Sequence, residues 1–192
     1  EPTFPDPLSM NSMLTGTAWH SLMEYGSVDP TNTEVEVAGV IDGLPMRGKV
    51  DRLLPPDAIA DHKHQKDSAR KYLKGAKPEH AAQLAIYAEL VQQSKGWRPT
   101  RGIIWYHDAA AGFAPMVVDP LPTLDAALTY RPFGGEFMVR ELYQQAAEFY
   151  AGRKKWEDLP MAGESMRFGV QSMCNFCPVR DACFIQNRMA PF

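Results

Sequence analysis

The pattern of apolar and polar residues early in the chain predicts three consecutive strands. Polar and apolar side chains alternate over residues 33–41, which is typical of a strand with one buried face. Asp42-Gly43 is a strong signal for a tight hairpin turn, so residues 45–54 are expected to return as a second strand. A turn at Pro55-Pro56-Asp57 then leads into a third strand over residues 58–64.

The rest of the pattern predicts several helices and a further pair of strands. Apolar residues recur at helical spacing most clearly over residues 79–94. Helices are also expected over 8–25, 122–130 and 135–156, a short polar helix or loop over 67–74, and strands over 101–107 and 113–118. This order of elements predicts an α/β fold in which helices flank a central mixed sheet.

Composition narrows the class of protein. The 192 residues are 45% hydrophobic and 22% charged, which is usual for a globular chain with a buried core and excludes a disordered tail, a collagen-like repeat and a coiled coil. No apolar run approaches the roughly 18 residues that a membrane-spanning helix needs. The acidic, proline-rich segment 1–7 is unlike a signal peptide, so we expect a cytoplasmic protein without a membrane partner.

Charged residues on the second and third predicted strands form a candidate catalytic group. Residues two apart on a strand share a face, so Asp61 and Lys63 should project together while His62 and His64 point the other way. Asp51 on the preceding strand is an expected neighbour. Two carboxylates can hold a hard cation such as Mg²⁺, and a lysine can orient water or stabilise developing charge. Alternatively, these residues are surface charges on edge strands.

Two further signals are weaker when taken singly. Gln83 and Tyr87 lie four residues apart, hence on one face of the predicted helix, where they could bond to phosphate or sugar oxygens. An ordinary amphipathic helix with a half-buried Tyr87 is the alternative. His20 is a lone histidine on the first predicted helix, and such residues are usually structural.

A basic segment follows the third strand. Residues 61–78 contain six basic and two acidic residues, whereas the net charge of the whole chain is −3. The candidate phosphate-binding side chains within it are Lys66, Arg70, Lys71 and Lys74. This local excess of positive charge indicates a segment that contacts nucleic acid, and the alternative is a loop whose charges are only solvated.

The three cysteines of the chain are clustered near its C-terminus. Cys174, Cys177 and Cys183 have the spacing C-x₂-C-x₅-C. Thiolates at this density are typical of an iron–sulfur cluster or Zn²⁺ in a reducing compartment, although a tail without metal stays open. We expect a core over residues 1–160 and a cysteine-bearing tail over 161–192 that packs on it.

Taken in order, four motifs resemble the RecB-type branch of the PD-(D/E)XK nucleases. These motifs are Gly16-x-x-x-His20, Gly48-Lys49-Val50-Asp51-Arg52, Asp61-x-Lys63 and Gln83-x-x-x-Tyr87. The resemblance implies a restriction-endonuclease-like core and a metal-dependent DNA exonuclease that processes ends in recombination, repair or phage replication.

The same resemblance assigns roles to individual residues. It implies that His20, Asp51 and Asp61 bind Mg²⁺ or Mn²⁺, together with the backbone carbonyl of His62. Lys63 would be the catalytic lysine, and the motif of Gln83 and Tyr87 would help to bind DNA. The sequence departs from the family at His62 and His64, where an apolar residue and threonine are common, and we expect this to tune the site.

In the CRISPR-associated and phage members of this branch, three C-terminal cysteines join one N-terminal cysteine in holding a [4Fe–4S] cluster. Cys174, Cys177 and Cys183 would be the corresponding ligands. A fourth cysteine is absent from the 192 residues, and we expect it upstream of Glu1, unless a non-cysteine ligand replaces it or a zinc site uses a histidine.

The sequence leaves two other functions open. One is a catalytically degenerate DNA-binding module, against which the intact Asp51, Asp61 and Lys63 argue. The other is a zinc-stabilised interaction domain of a larger helicase–nuclease complex. DNA is the expected partner in the leading interpretation, in a bacterial, archaeal or phage-infected cell, with a second copy of the chain or a recombination helicase as a further candidate.

Overall fold

The computed structural model describes Ala18 and residues 29–64, 75–108, 112–132 and 137–155. Ala18 is helical, but the rest of the predicted helix over 8–25, the segment 67–74 and the tail 161–192 lie outside the described residues. None of the helices in these described residues combines the length and the apolar character of a membrane-spanning segment.

Five strands form one mixed sheet in the described part of the chain. The strands are β1 (Thr33–Ile41), β2 (Leu44–Leu54), β3 (Ala58–His64), β4 (Arg101–Asp108) and β5 (Gly112–Val118). Their spatial order follows the sequence, and every neighbouring pair is antiparallel except β3 and β4, which run parallel. The predicted α/β fold with a mixed sheet is confirmed, and the strand bounds agree with the predicted ones to within one residue.

The hairpin turn between β1 and β2 lies where the sequence predicts it. Asp42 and Gly43 have φ angles of 52° and 78°, and Ile41 is paired with Leu44. A two-residue turn with positive φ at both positions matches the twist of antiparallel strands. Glycine adopts such a backbone without steric cost, and aspartate tolerates it better than most residues.

Helix α1 (Pro78–Lys95) connects the parallel strands β3 and β4 and packs on one face of the sheet. A parallel pair cannot be joined by a tight turn, which is why a helix crosses here. The helix begins at Pro78, whose fixed φ and missing N–H suit a first helical position. Its buried residues are Ala82, Leu84, Ala85, Ile86, Ala88, Leu90 and Val91, which form the core with the apolar side chains of the strands.

Two shorter helices follow the sheet, α2 (Leu124–Thr129) and α3 (Val139–Tyr150). Helix α2 begins where the Thr123 hydroxyl accepts a hydrogen bond from the Ala126 N–H at 3.2 Å. The prediction of one helix over residues 135–156 is wrong at both ends. The Met138 N–H donates to the Glu141 carboxylate at 2.8 Å and sets the start, and the chain leaves the helix before Gly152.

The outer edge of β1 is covered by side chains from the last turns of α1. The Ser94 hydroxyl accepts from the Ala38 N–H at 2.8 Å and lies 2.6 Å from the Ala38 carbonyl, to which it donates. Gln93 accepts from the Val40 N–H at 2.8 Å and donates to the Val40 carbonyl at 3.1 Å. Side chains therefore satisfy backbone groups that a sheet edge would otherwise present to its surroundings.

Candidate active site

The candidate site begins where β2 and β3 separate. Their backbone pairing runs from Leu54 and Ala58 as far as Arg52 and Ala60. Just beyond this pairing, the His62 N–H donates to the Asp51 Oδ2 at 2.6 Å. The carboxylate of Asp51 therefore takes the position of a strand partner, and it lies next to the backbone of the residue between Asp61 and Lys63, as the sequence predicts.

The burial pattern of β2 changes at the same point. Alternate positions are more buried from Leu44 to Val50, but the next fully buried residue is Leu53, three positions on instead of two or four. Asp51 and Arg52 are both partly buried between them. The side of β2 that faces the core therefore changes at Asp51. A regular alternation of apolar and polar residues would not predict this change.

Asp61 and Lys63 form an ion pair on β3. The Lys63 Nζ lies 2.9 Å from the Asp61 Oδ2, and their side chains are 24% and 5% exposed. The predicted common face of the two residues is therefore confirmed. Burying a carboxylate to this degree costs free energy unless a cation or hydrogen-bond donors compensate its charge. The fold therefore depends on Lys63 to compensate the charge of Asp61.

Tyr87 lies on the face of helix α1 that meets β2, within electrostatic reach of the two carboxylates. The Gln83 amide donates to the Tyr87 hydroxyl at 3.3 Å, so these residues share a helix face as predicted. Burial raises the pKa of Tyr87, and the negative charges of Asp61 and Asp51 raise it further. The phenol therefore stays protonated and is able to donate a hydrogen bond near both carboxylates.

Gly48 makes room for this tyrosine. A Cβ atom at Gly48 would lie 2.6 Å from the Tyr87 Cε1, well inside van der Waals contact. The absence of a side chain lets the ring of Tyr87 lie directly against β2. The glycine of the Gly-Lys-Val-Asp-Arg motif thus helps to position the helix at the site.

His80, in the first turn of α1, was not among the sequence candidates. Its Nδ1 lies 2.8 Å from the hydroxyl of Tyr106, which also accepts a hydrogen bond from the Lys77 N–H at 3.0 Å. Burial lowers the pKa of His80 to about 3, and the charges of Lys63 and Lys77 lower it further. The sequence signal for His80 is its spacing of three residues from Gln83, which places both side chains on one face of the helix.

A second pair missed by the sequence analysis joins His62 to β4. The His62 Nδ1 lies 2.8 Å from the His107 Nε2, and both side chains are buried. The two rings are stacked with their centroids 5.0 Å apart, and His62 also stacks on Trp105. The pair ties the residue between Asp61 and Lys63 to the neighbouring strand.

The donor atoms near Asp51 suit a hard divalent cation. Carboxylate and carbonyl oxygens are the ligands that Mg²⁺ and Mn²⁺ prefer, and Asp51, Asp61 and the carbonyl of His62 are of this kind. Among the described residues, however, no group of three or more histidine, cysteine, aspartate or glutamate side chains is arranged around a common point. The described chain therefore offers the predicted carboxylates but no complete set of side-chain ligands.

The remaining predicted site residues lie outside the described residues. They are His20, Lys66, Arg70, Lys71, Lys74, Cys174, Cys177 and Cys183. Their roles as metal, DNA and cluster ligands stay predictions.

A sequence model described as the PD-(D/E)XK nuclease superfamily matches residues 9–184. No curated protein matches the chain. Among solved structures, the crystal structure of SSO0001 is similar with a TM-score of 0.50 and 16% identity, covering 93% of this chain and 71% of that one.

A second similar crystal structure is that of a "putative exonuclease" from Eubacterium rectale. Its TM-score is 0.38 at 16% identity, over 75% of this chain and 50% of the other. Members of the matched superfamily typically use Mg²⁺ or Mn²⁺. The mixed sheet with its flanking helices has the restriction-endonuclease-like arrangement, and the chain belongs to the PD-(D/E)XK nuclease superfamily.

Proposed function

We propose that this chain is a divalent-metal-dependent deoxyribonuclease of the RecB-type branch that removes nucleotides from DNA ends. The observation that carries the proposal is the ion pair of the buried Asp61 with the partly exposed Lys63, beside Asp51, in a chain of the PD-(D/E)XK nuclease superfamily. Buried charge is expensive to maintain, and a pair of this kind next to a second carboxylate suits a chemical role better than a structural one.

The carboxylates of Asp51 and Asp61 would hold the cation, together with the carbonyl of His62 and with His20. A bound Mg²⁺ or Mn²⁺ would lower the pKa of a water molecule and offset negative charge on the phosphodiester. The amide of His62 holds the Asp51 carboxylate at 2.6 Å, so this ligand would be oriented before any cation arrives.

Lys63 would supply a positive charge at the reacting phosphate. Its Nζ is 2.9 Å from the Asp61 carboxylate, which fixes its position but leaves about a quarter of the side chain exposed. A cation held in this way can donate a hydrogen bond to water or to a phosphate oxygen in the transition state.

Gln83 and Tyr87 would contact the DNA from helix α1. Tyr87 keeps its proton because burial and the nearby carboxylates raise its pKa. A neutral phenol therefore adds a hydrogen-bond donor without adding charge. Lys66, Arg70, Lys71 and Lys74 would add electrostatic attraction for the phosphate backbone, as the local charge excess suggests.

The cysteine-bearing tail would have a structural role. We propose that Cys174, Cys177 and Cys183 are ligands of a [4Fe–4S] cluster, and that zinc is the alternative occupant. Iron and labile sulfide content, measured on protein purified without oxygen, distinguishes the two.

A time course on end-labelled oligonucleotides tests the proposed activity. We expect cleavage with Mn²⁺ or Mg²⁺, none with EDTA, and products that shorten progressively from one end. Asp61→Asn should be inactive, whereas Lys95→Ala, an exposed residue in the last turn of α1, should cleave as the wild type does. DNA binding without cleavage under all metal conditions would instead favour the degenerate binding module.

A further inference from the structure

The first turns of α1 carry a third side chain on the face that holds Gln83 and Tyr87. His80 precedes Gln83 by three residues and Tyr87 by seven, and these spacings place all three on one side of a helix. At one end of this row the Tyr87 ring lies against Gly48 of β2, and at the other the His80 Nδ1 lies 2.8 Å from the hydroxyl of Tyr106, the strand partner of Lys63. The row therefore runs along the candidate site.

Contacts on β4 fix the orientation of the His80 ring. The Tyr106 hydroxyl is fully buried, accepts from the Lys77 N–H at 3.0 Å and lies 2.8 Å from the His80 Nδ1. We assign this second contact as a hydrogen bond from the hydroxyl to Nδ1, which leaves the ring hydrogen on Nε2. Tyr106 is also the strand partner of Lys63 in the parallel register of β3 and β4.

We propose that His80 is a substrate-contacting residue whose Nε2–H donates a hydrogen bond to a phosphate oxygen of DNA beside Lys63. This inference rests on the proposed deoxyribonuclease function and adds a residue to it. The imidazole stays neutral at ordinary pH, since burial and two neighbouring lysines oppose its protonation. His80 thus offers a directed donor close to Lys63 without placing a second full charge there.

Two substitutions separate this role from a purely structural one. His80→Asn keeps an acceptor near the position of Nδ1, and with it the bond from Tyr106, but removes the Nε2 donor. His80→Gln places an amide N–H near the position of Nε2 and weakens the Tyr106 contact instead. Gln92→Ala, an exposed change near the other end of α1, is the matched control.

The variants are compared in three measurements: thermal unfolding, cleavage of an end-labelled oligonucleotide with Mn²⁺, and binding of the same oligonucleotide in EDTA by fluorescence anisotropy. We expect His80→Asn to melt near the wild type but to lose about 10-fold to 100-fold in kcat/KM, the usual effect of losing a hydrogen bond to a charged group. Its affinity for the oligonucleotide should fall as well. His80→Gln should recover most of both despite a lower Tm.

Other outcomes overturn the proposal. Wild-type cleavage and affinity in His80→Asn would show that His80 only supports Tyr106. The binding arm does not depend on catalysis, so a wild type that binds but does not cleave refutes the proposed activity while still testing His80. A wild type that neither cleaves nor binds would refute both.

Discussion

Replacing Lys63 should lower the stability of the fold, because the negative charge of the buried Asp61 carboxylate would lose its compensating cation. In Lys63→Ala the Asp61 side chain, only 5% exposed, loses the ammonium group 2.9 Å away. Breaking a buried ion pair by removing one partner costs about 3–5 kcal/mol. Because 24% of the Lys63 side chain is exposed, we expect a smaller effect of about 2–3 kcal/mol in the free energy of unfolding.

This loss is large enough to measure by thermal unfolding. For a chain of this size, 1 kcal/mol shifts Tm by about 2–4 °C, so Lys63→Ala in EDTA should melt about 4–12 °C below the wild type. The double variant Lys63→Ala/Asp61→Asn should recover part of the loss, since no unpaired charge remains buried. With Mn²⁺ the deficit of Lys63→Ala should shrink, because a bound cation would compensate Asp61 in place of the lysine.

The same variant tests the proposed chemistry. Cleavage by Lys63→Ala should fall about 100-fold or more, the usual cost of losing one group that stabilises transition-state charge. A variant that melts with the wild type, or a double variant less stable than Lys63→Ala, would refute the reasoning about buried charge. Wild-type cleavage by Lys63→Ala would refute the assignment of β3 as the catalytic strand.

Three further predictions concern neighbouring residues. Gly48→Ala should lower Tm and weaken cleavage, since the new Cβ would meet Tyr87 at 2.6 Å. In the same melt Gly48→Ala should cost less stability in a Tyr87→Ala background than in the wild type, since no ring remains for the new Cβ to meet. The pKa of His80 is lowered in the fold from 6.5 to about 3, so its contribution to stability is present above pH 6.5 and is lost as pH falls toward 3. Denaturant unfolding at several pH values should therefore show that His80→Asn loses less stability in acid than the wild type does. Cys177→Ser should remove iron and labile sulfide and lower Tm if the tail holds a cluster, whereas an unchanged iron content would exclude Cys177 as a ligand.

Local signals explain why the strands could be predicted to within one residue. Alternation over residues 33–41, the turn at Asp42-Gly43 and the next turn at 55–57 each act over a few neighbouring positions. The same holds for Gln83 and Tyr87, whose contact needs only helical spacing. Helix α3 was predicted too long because hydrophobic spacing continues past the capping at Met138 and the break at Gly152.

Contacts between distant segments could not be predicted in this way. His62 and His107 are 45 residues apart, and their contact depends on the parallel register of β3 and β4. The orientation of the His80 ring depends on Tyr106, 26 residues further on. The bond from His62 to Asp51 likewise follows from the separation of β2 and β3, which interrupts the regular alternation.

The cover that α1 places over the outer edge of β1 has a consequence for self-association. An exposed strand edge can recruit a strand from another molecule and so begin aggregation. Here Gln93 and Ser94 occupy the backbone groups of Ala38 and Val40 that such a strand would need. Sequence changes at the end of α1 could therefore alter how copies of the chain associate while the opposite end of the helix, which bears His80, keeps its contacts.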